Sequence, residues 1–288
     1  RPVMKKLAVM LLAALAFVAA QAQKPTWETK IWEGTQPPTP NGITEQEYDD
    51  GQHSNKVTVP TLTVYVPQKP CGLAILDCPG GAYYDVWYQP EGRAMAQWYL
   101  NQGITYAVLK YRLPNSHHQV PLEDVHQAMH LMRQHAQQWG FSKLGIQGCS
   151  AGGHLASTAA THFTNAENRP DFQILFYPVI TMDAAFTHQG SRENLLGKNP
   201  SQQLVDLYSN EKQVTKQTPP AFIMHSANDD IVPLRNSLEY CQALTDKGVS
   251  AVMHIYPDGG HGWCYHEWFV WKDLYKAELA EWLRRIER

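Results

Sequence analysis

The sequence predicts an α/β fold with a mainly parallel central sheet covered by helices on both faces. Short apolar runs rich in branched residues alternate along the chain with longer segments in which apolar residues recur at helical spacing. The runs 72–78 and 104–109 are apolar almost throughout, as is typical of strands buried on both faces. Strands that alternate with helices build parallel sheets, and functional residues gather at the carboxyl ends of such strands.

The individual elements follow from the same patterns. We expect strands at 57–66, 72–78, 104–109, 144–147, 172–177, 221–226 and 249–256, and helices at 91–102, 122–139, from 151 onward, 234–248 and 268–286. Residues 180–218 are polar and break the alternation, which predicts a small cap insertion over the site. Residues 23–55 are polar and rich in proline, which predicts an extended N-terminal arm. The catalytic domain is expected at 56–288.

Residues 1–22 have the pattern of a secretory signal peptide. Lys5 and Lys6 follow Met4, the apolar run 7–20 comes next, and Ala20 and Ala22 form a small-x-small cleavage site. The run is too short to span a bilayer comfortably, and no cysteine follows it to carry a lipid anchor. Residues 1–3 are interpreted as a leading remnant. We expect a periplasmic or extracellular protein without a membrane anchor; the alternative is a helix of the mature fold.

Composition narrows the class of partner. The net charge of −3 and the pI near 6.5 give no basic excess, which argues against nucleic acid as a partner. No His, Asp, Glu or Cys cluster has metal-ligand spacing, so neither a metal nor another cofactor is expected. The five cysteines leave at least one unpaired; Cys71 and Cys78 could pair, or all could be free thiols. The oligomeric state is left open.

Ser150 is the candidate nucleophile. It lies in the stretch Gly148-Cys149-Ser150-Ala151-Gly152, directly after a predicted strand and directly before a predicted helix. In a Gly-x-Ser-x-Gly elbow the serine occupies a strained turn that small neighbours make possible. The helix that follows directs the Ala151 N–H and its positive dipole end toward a developing oxyanion. The strand-turn-helix context therefore predicts a serine hydrolase with an α/β-hydrolase fold.

A glycine-rich loop precedes the elbow in the chain. The stretch Cys78-Pro79-Gly80-Gly81-Ala82-Tyr83 follows an early buried strand, in the place of the oxyanion loop of esterases. The N–H groups of Gly81 and Ala82 are expected to join that of Ala151 in an oxyanion hole. A plain glycine turn is the alternative.

The order of a triad in this fold is serine, then acid, then histidine. Asp229 lies in a strand-end loop after the run 221–226, and Asp230 is its rival by one position. Asp183 follows an earlier strand and is a weaker rival. His261 lies between glycines just after the strand predicted to end at Tyr256, which suits a loop that brings the imidazole to Ser150. The predicted triad is Ser150, Asp229 and His261, acting through an acyl-enzyme.

Taken together, these motifs resemble the secreted carbohydrate esterases of α/β-hydrolase type from gut and rumen Bacteroidetes, the acetyl xylan esterase and feruloyl-esterase-like proteins. The resemblance covers about residue 60 to the C-terminus, and its stretches are 79–83, 111–114, 121–124, 148–155, 177–179, 193–197, 229–233 and 259–263. It places Asp229, rather than Asp230, at the first position of an Asp-x-x-Val-Pro pattern. It implies removal of acetyl groups from xylan or xylo-oligosaccharides, so the expected partner is an acetylated plant polysaccharide or oligosaccharide.

Other functions remain open at this point. A feruloyl esterase would need a deep apolar pocket. A peptidase of prolyl-oligopeptidase kind would need a propeller domain, for which the chain has no room. A sugar-binding protein could keep the fold without catalysis. The generous supply of Trp and Tyr fits either a core or a groove that stacks on sugar rings. The candidate substrate contacts are Tyr83, Trp87 and Trp263, with Tyr88 as a further candidate, and core packing is the alternative for at least two of these four.

Overall fold

The computed structural model describes residues 23–288, so the predicted signal peptide at 1–22 lies outside the described residues. An eight-stranded sheet runs through the molecule. In sheet order its strands are β1 (Trp27–Lys30), β4 (Thr61–Tyr65), β7 (Thr105–Lys110), β5 (Gly72–Cys78), β8 (Phe141–Cys149), β9 (Gln173–Phe176), β10 (Ala221–Ser226) and β11 (Ala251–Tyr256). The pairs β1–β4 and β4–β7 are antiparallel, and all pairs from β7 to β11 are parallel.

Helices cover the sheet on both faces. Successive side chains of a strand point to opposite faces, and every residue of β5 from Leu73 to Cys78 is buried, so neither face is open to water. The helices are α1 (Ala96–Asn101), α2 (Val120–Gln134), α3 (Ala136–Trp139), α4 (Ala151–Thr161), α5 (Gln189–Leu196), α6 (Gln202–Tyr208), α7 (Arg235–Asp246) and α8 (Lys272–Glu287). The predicted mainly parallel sheet with helices on both faces is confirmed.

Most predicted elements coincide with observed ones. The strands predicted at 72–78 and 221–226 match β5 and β10 residue for residue. The helix predicted at 122–139 is interrupted at His135, whose φ of −98° and ψ of 5° leave the helical region between α2 and α3. The C-terminal helix begins at Lys272 instead of 268, because turns occupy the residues that lead into it.

The arm at 23–55 packs against the rest of the fold. Strand β1 pairs with β4 at the edge of the main sheet. Two short strands, β2 (Tyr48–Asp49) and β3 (Ser54–Asn55), form a second sheet with β6 (Asp85–Val86). The Trp32 indole N–H donates to Asp124 Oδ1 over 2.7 Å, and Arg112 donates to the Thr39 carbonyl oxygen over 2.6 Å. Through the pairing of β3 with β6, the arm reaches the segment that directly follows the predicted oxyanion loop.

The predicted cap is the connection between β9 and β10, and it carries α5 and α6. His188 caps α5: its Nδ1 accepts from the Ser191 N–H over 3.3 Å. The Asn194 amide donates to the Ala82 carbonyl oxygen over 2.8 Å. This hydrogen bond ties the cap directly to the predicted oxyanion loop.

Candidate active site

Ser150 occupies a strained turn between β8 and α4. Its φ of 55° and ψ of −121° fall in a region that side-chain-bearing residues rarely adopt, and strain of this kind clusters at functional sites. Its N–H donates to the Phe176 carbonyl oxygen over 3.0 Å. A Cβ on Gly152 would lie 1.9 Å from the Cys78 carbonyl oxygen. Glycine at this position therefore lets the helix that carries the nucleophile approach the end of β5.

The structure brings Ser150, His261 and Asp229 together in one hydrogen-bonded chain. His261 Nε2 lies 2.8 Å from Ser150 Oγ, and His261 Nδ1 lies 2.7 Å from Asp229 Oδ2. An ionised carboxylate can only accept, so Nδ1 carries the imidazole proton. Nε2 is then free to accept the hydroxyl proton of Ser150. This is the arrangement that a general base needs to activate a serine.

Asp229 is held as a carboxylate by several donors. Its Oδ1 accepts from the N–H groups of Ile231 and Val232, over 3.0 and 2.9 Å. A second buried imidazole, His225 Nε2, lies 3.2 Å from Oδ2. Burial alone would raise the pKa of Asp229, but the hydrogen bonds from His225 and His261 outweigh it and hold the pKa well below the usual range. The rival acid Asp230 is exposed, and the hydrogen bond to His261 Nδ1 comes from Asp229 instead.

The predicted oxyanion donors lie around Ser150. Gly81 and Ala82 line the same cavity as Ser150, and both have positive φ values, 134° and 57°. Among residues 23–288, no acceptor receives a hydrogen bond from the N–H of Gly81, Ala82 or Ala151. Backbone donors without an internal partner, close to a nucleophile, are available to an incoming carbonyl oxygen.

A cavity of about 570 Å³ opens above Ser150. Its walls combine the oxyanion loop, the His261 loop and His188 of the cap with aromatic and apolar side chains, among them Tyr84, Trp87 and Ile231. Of the three predicted substrate contacts, only Trp87 faces this cavity, with 38% of its surface exposed. The ring of His53 stacks on Trp87 at a centroid distance of 4.3 Å.

The predictions for Tyr83 and Trp263 as substrate contacts are wrong. Trp263 is fully buried and stacks on Phe269 at 4.1 Å, because the chain turns inward directly after the His261 loop. Tyr83 is also buried, and its hydroxyl bonds to His154 Nδ1 over 2.8 Å. Tyr88 is buried as well and donates to Asp49. All three side chains stabilise the surroundings of the site.

Four residues near the site were missed by the sequence analysis. Glu91 and His188 line the cavity, Tyr177 packs on the His261 ring at 4.6 Å, and His225 contacts Asp229. Position at a strand end was the available signal for Tyr177 and His225. Glu91 and His188 come from segments that carry no motif for this chemistry.

Beneath the site, the thiols of Cys149 and Cys264 contact each other at 2.9 Å. Cys71 and Cys78, which could have formed a disulfide, are both free thiols.

Over the described part of the chain, no group of three or more His, Cys, Asp or Glu could hold a metal ion. Within the same residues, every helix is too short or too polar to cross a membrane.

Several known proteins are similar to this chain. An acetylxylan esterase of Xylanibacter ruminicola is 38% identical over 231 residues, which cover 78% of this chain and 48% of that protein. The chain thus spans about half the length of this curated relative. A crystal structure is known for an acetyl ester-xyloside bifunctional hydrolase from Caldicellulosiruptor lactoaceticus, whose sequence is 31% identical to this chain. The two structures superpose with a TM-score of 0.77 over 93% of this chain and 98% of that one.

An α/β hydrolase from a deep-sea metagenome library has a TM-score of 0.62 at 24% identity, over 81% of this chain and 95% of that one, and this likeness concerns the fold alone. The predicted α/β-hydrolase fold is confirmed. The family model BD-FAE matches residues 62–244. Because this match spans more than half of the sequence, the chain belongs to the BD-FAE family.

Proposed function

We propose that this chain is a serine carboxylesterase that removes acetyl groups from xylan or xylo-oligosaccharides. The observation that carries the proposal is the hydrogen-bonded chain of Ser150, His261 and Asp229, with Ser150 on a strained turn at the floor of a cavity. Such a chain is suited to acyl transfer, because it joins a nucleophile, a base and a group that orients the base.

The geometry supports a two-step reaction. His261 Nε2 takes the hydroxyl proton as Ser150 Oγ attacks the ester carbonyl carbon, while the carboxylate of Asp229 stabilises the imidazolium. The N–H groups of Gly81, Ala82 and Ala151 stabilise the negative oxygen of the tetrahedral intermediate. His261 then protonates the leaving sugar hydroxyl, which yields the acyl-enzyme. Water, deprotonated by the same imidazole, attacks the acyl-enzyme and releases the acid and free Ser150.

The relatives and the cavity support the proposed substrate class. The Xylanibacter relative is named an acetylxylan esterase, and the Caldicellulosiruptor protein is named an acetyl ester-xyloside bifunctional hydrolase. A cavity of about 570 Å³ is larger than one acetyl group requires and leaves room for the sugar that carries it. The exposed Trp87 offers an apolar face on which a sugar ring can stack.

The decisive experiment is a substrate comparison with the Ser150→Ala variant as control. We expect acetate release from acetylated xylan or acetylated xylo-oligosaccharides and hydrolysis of 4-nitrophenyl acetate, with kcat lowered at least about 10⁴-fold in Ser150→Ala. Faster turnover of methyl ferulate would favour a feruloyl esterase, and cleavage of an aminoacyl anilide would favour a peptidase. Sugar binding without hydrolysis of any ester would point to a non-catalytic protein. An unchanged rate in Ser150→Ala would refute the mechanism.

We also propose that the esterase is exported, on the basis of the leader pattern at residues 4–22. Its substrate, an extracellular polymer, fits this location. Cell fractionation with an intact and a deleted leader segment tests the proposal, because only the intact form is expected outside the cytoplasm.

A further inference from the structure

A buried carboxylate lies beside the active site and takes no part in the triad. Glu91 lines the cavity above Ser150, yet only 8% of the residue is exposed. Each of its carboxylate oxygens has a protein donor. Oε2 accepts from the N–H of Gly80 over 2.8 Å, and Oε1 accepts from the hydroxyl of Tyr177 over 2.9 Å. Burial of a carboxylate is unfavourable unless hydrogen bonds within the protein replace those that it loses to water. The two donors to Glu91 supply this replacement.

The contact with Gly80 fixes the start of the oxyanion loop. A Cβ on Gly80 would lie 2.4 Å from Glu91 Oε2 and 3.0 Å from Ser150 Cβ, so the backbone of Gly80 is confined between the carboxylate and the nucleophile. The next two residues, Gly81 and Ala82, line the cavity, and their N–H groups are the predicted oxyanion donors. A shift of Gly80 would therefore move both donors relative to Ser150 Oγ.

The contact with Tyr177 connects the carboxylate to the opposite side of the site. The Tyr177 hydroxyl also accepts from the N–H of Cys264 over 3.1 Å, three residues after His261. The ring of Tyr177 packs against the imidazole of His261 at 4.6 Å. Glu91 thus joins, through direct hydrogen bonds and one intermediate side chain, the oxyanion loop and the segment that carries the base.

We propose that Glu91 is a positioning residue for acyl transfer, which holds the oxyanion loop in register with Ser150 through the Gly80 N–H. An oxyanion hole contributes most when its donors are already aimed at the developing charge, and removal of one donor typically lowers turnover about 10²–10³-fold. A carboxylate suits this task because a charged acceptor holds a backbone N–H more tightly than a neutral one. The proposal rests on the proposed esterase function of the same site.

The test compares Glu91→Ala with Glu91→Gln on 4-nitrophenyl acetate. In Glu91→Ala we expect kcat to fall about 10²-fold while KM stays within about threefold, because the loop donors act mainly in the transition state. Affinity for a phenylboronic acid, whose adduct with Ser150 is tetrahedral, should weaken in parallel with kcat. In Glu91→Gln the amide oxygen can still accept from Gly80, so kcat should recover to within about tenfold of the unsubstituted enzyme.

Two further variants separate positioning from general stability. Tyr177→Phe keeps the bond to Gly80 and should lose less kcat than Glu91→Ala. Glu211 is a half-buried glutamate outside the cavity that accepts from Thr181, and Glu211→Ala should lower the unfolding temperature without changing kcat.

Failure of the unsubstituted protein to hydrolyse any ester would overturn the proposed function itself. If it is active and Glu91→Ala keeps kcat within threefold, or loses boronate affinity no more than Glu211→Ala does, the positioning role is wrong. If Glu91→Ala does not fold, Glu91→Gln alone tests the proposal. A kcat of Glu91→Gln that is as low as expected for loss of the entire oxyanion hole would then overturn the positioning role.

Discussion

At the scale of single residues, Asp229 fixes which nitrogen of His261, the proposed base, carries the proton. Both hydrogen-bonding nitrogens of the neutral imidazole are committed, one to Asp229 and one to Ser150. The carboxylate forces the proton onto Nδ1 because it can only accept. An asparagine amide can donate as well as accept, and donation would stabilise the opposite tautomer, in which Nε2 carries the proton.

We therefore predict that Asp229→Asn lowers kcat by about 10⁴-fold while the fold is kept. Steady-state kinetics on 4-nitrophenyl acetate measure this loss, and circular dichroism checks the fold. Asp230→Asn is the matched control, since Asp230 is exposed and adjacent, and it should stay within about threefold of the unsubstituted enzyme. A larger loss from Asp230→Asn than from Asp229→Asn would exchange the roles of the two carboxylates.

The three residues of the hydrogen-bonded chain could be predicted because each stands beside a local marker. Ser150 lies between glycines at a strand-to-helix turn, His261 lies between glycines after a strand, and Asp229 precedes a Val-Pro pair. Glu91 has no such marker. Its contacts with Gly80 and Tyr177 join segments 11 and 86 residues away, and nothing in its neighbourhood along the chain anticipates them.

At the scale of elements, helix α4 links the nucleophile to both the oxyanion segment and the cap through His154. Nε2 of this buried imidazole bonds to the Tyr208 carbonyl oxygen over 2.8 Å, so it must donate, and Nδ1 then accepts from the Tyr83 hydroxyl. Burial is the main cause that lowers the pKa of His154 from 6.5 to about 4. The imidazole is therefore neutral in the folded protein at neutral pH.

This lowered pKa predicts loss of stability in mild acid. Between about pH 6.5 and pH 4 the unfolded chain binds a proton at His154 that the folded chain does not, so the free energy of unfolding falls as the pH falls through this window. The loss attributable to His154 amounts to about 3 kcal/mol when complete. Urea unfolding of His154→Gln between pH 4 and pH 8 should show a shallower dependence by up to this amount. Parallel pH curves for the two proteins would contradict the prediction.

The elements themselves were predictable to the extent that burial was continuous along them. Strands β5 and β10 are buried almost throughout, so their apolar runs mark both ends. Strand β1 has only four residues, alternates between half-buried and exposed positions, and gains its place through pairing with β4. Such a strand gives little local signal, because its stabilisation comes from a partner more than 30 residues away.

At the scale of the whole molecule, the N-terminal arm helps to build the wall of the cavity. Gln52 lines the cavity, and His53 stacks on Trp87 at an angle of 16° between the rings. Strand β3, next to His53, pairs with β6, next to Trp87. The sequence patterns of the arm and of the residues that follow it could be interpreted separately, but their contact could not be predicted, because it depends on how the two segments pack.

The position of Trp87 in this wall leads to a prediction about the proposed sugar recognition, as distinct from the proposed ester hydrolysis. If a sugar ring stacks on Trp87, then Trp87→Ala should raise KM for acetylated xylo-oligosaccharides about tenfold, as expected for the loss of one aromatic contact of about 1.4 kcal/mol. KM for 4-nitrophenyl acetate, which has no sugar, should change less than about threefold. Trp268→Ala is the matched control: Trp268 is also exposed and stacks on a histidine, His266. His266 lines the cavity, but Trp268 itself does not. Equal increases in KM for both substrates would assign Trp87 to general packing, and an equal effect of Trp268→Ala would show that sugar recognition is not confined to this wall.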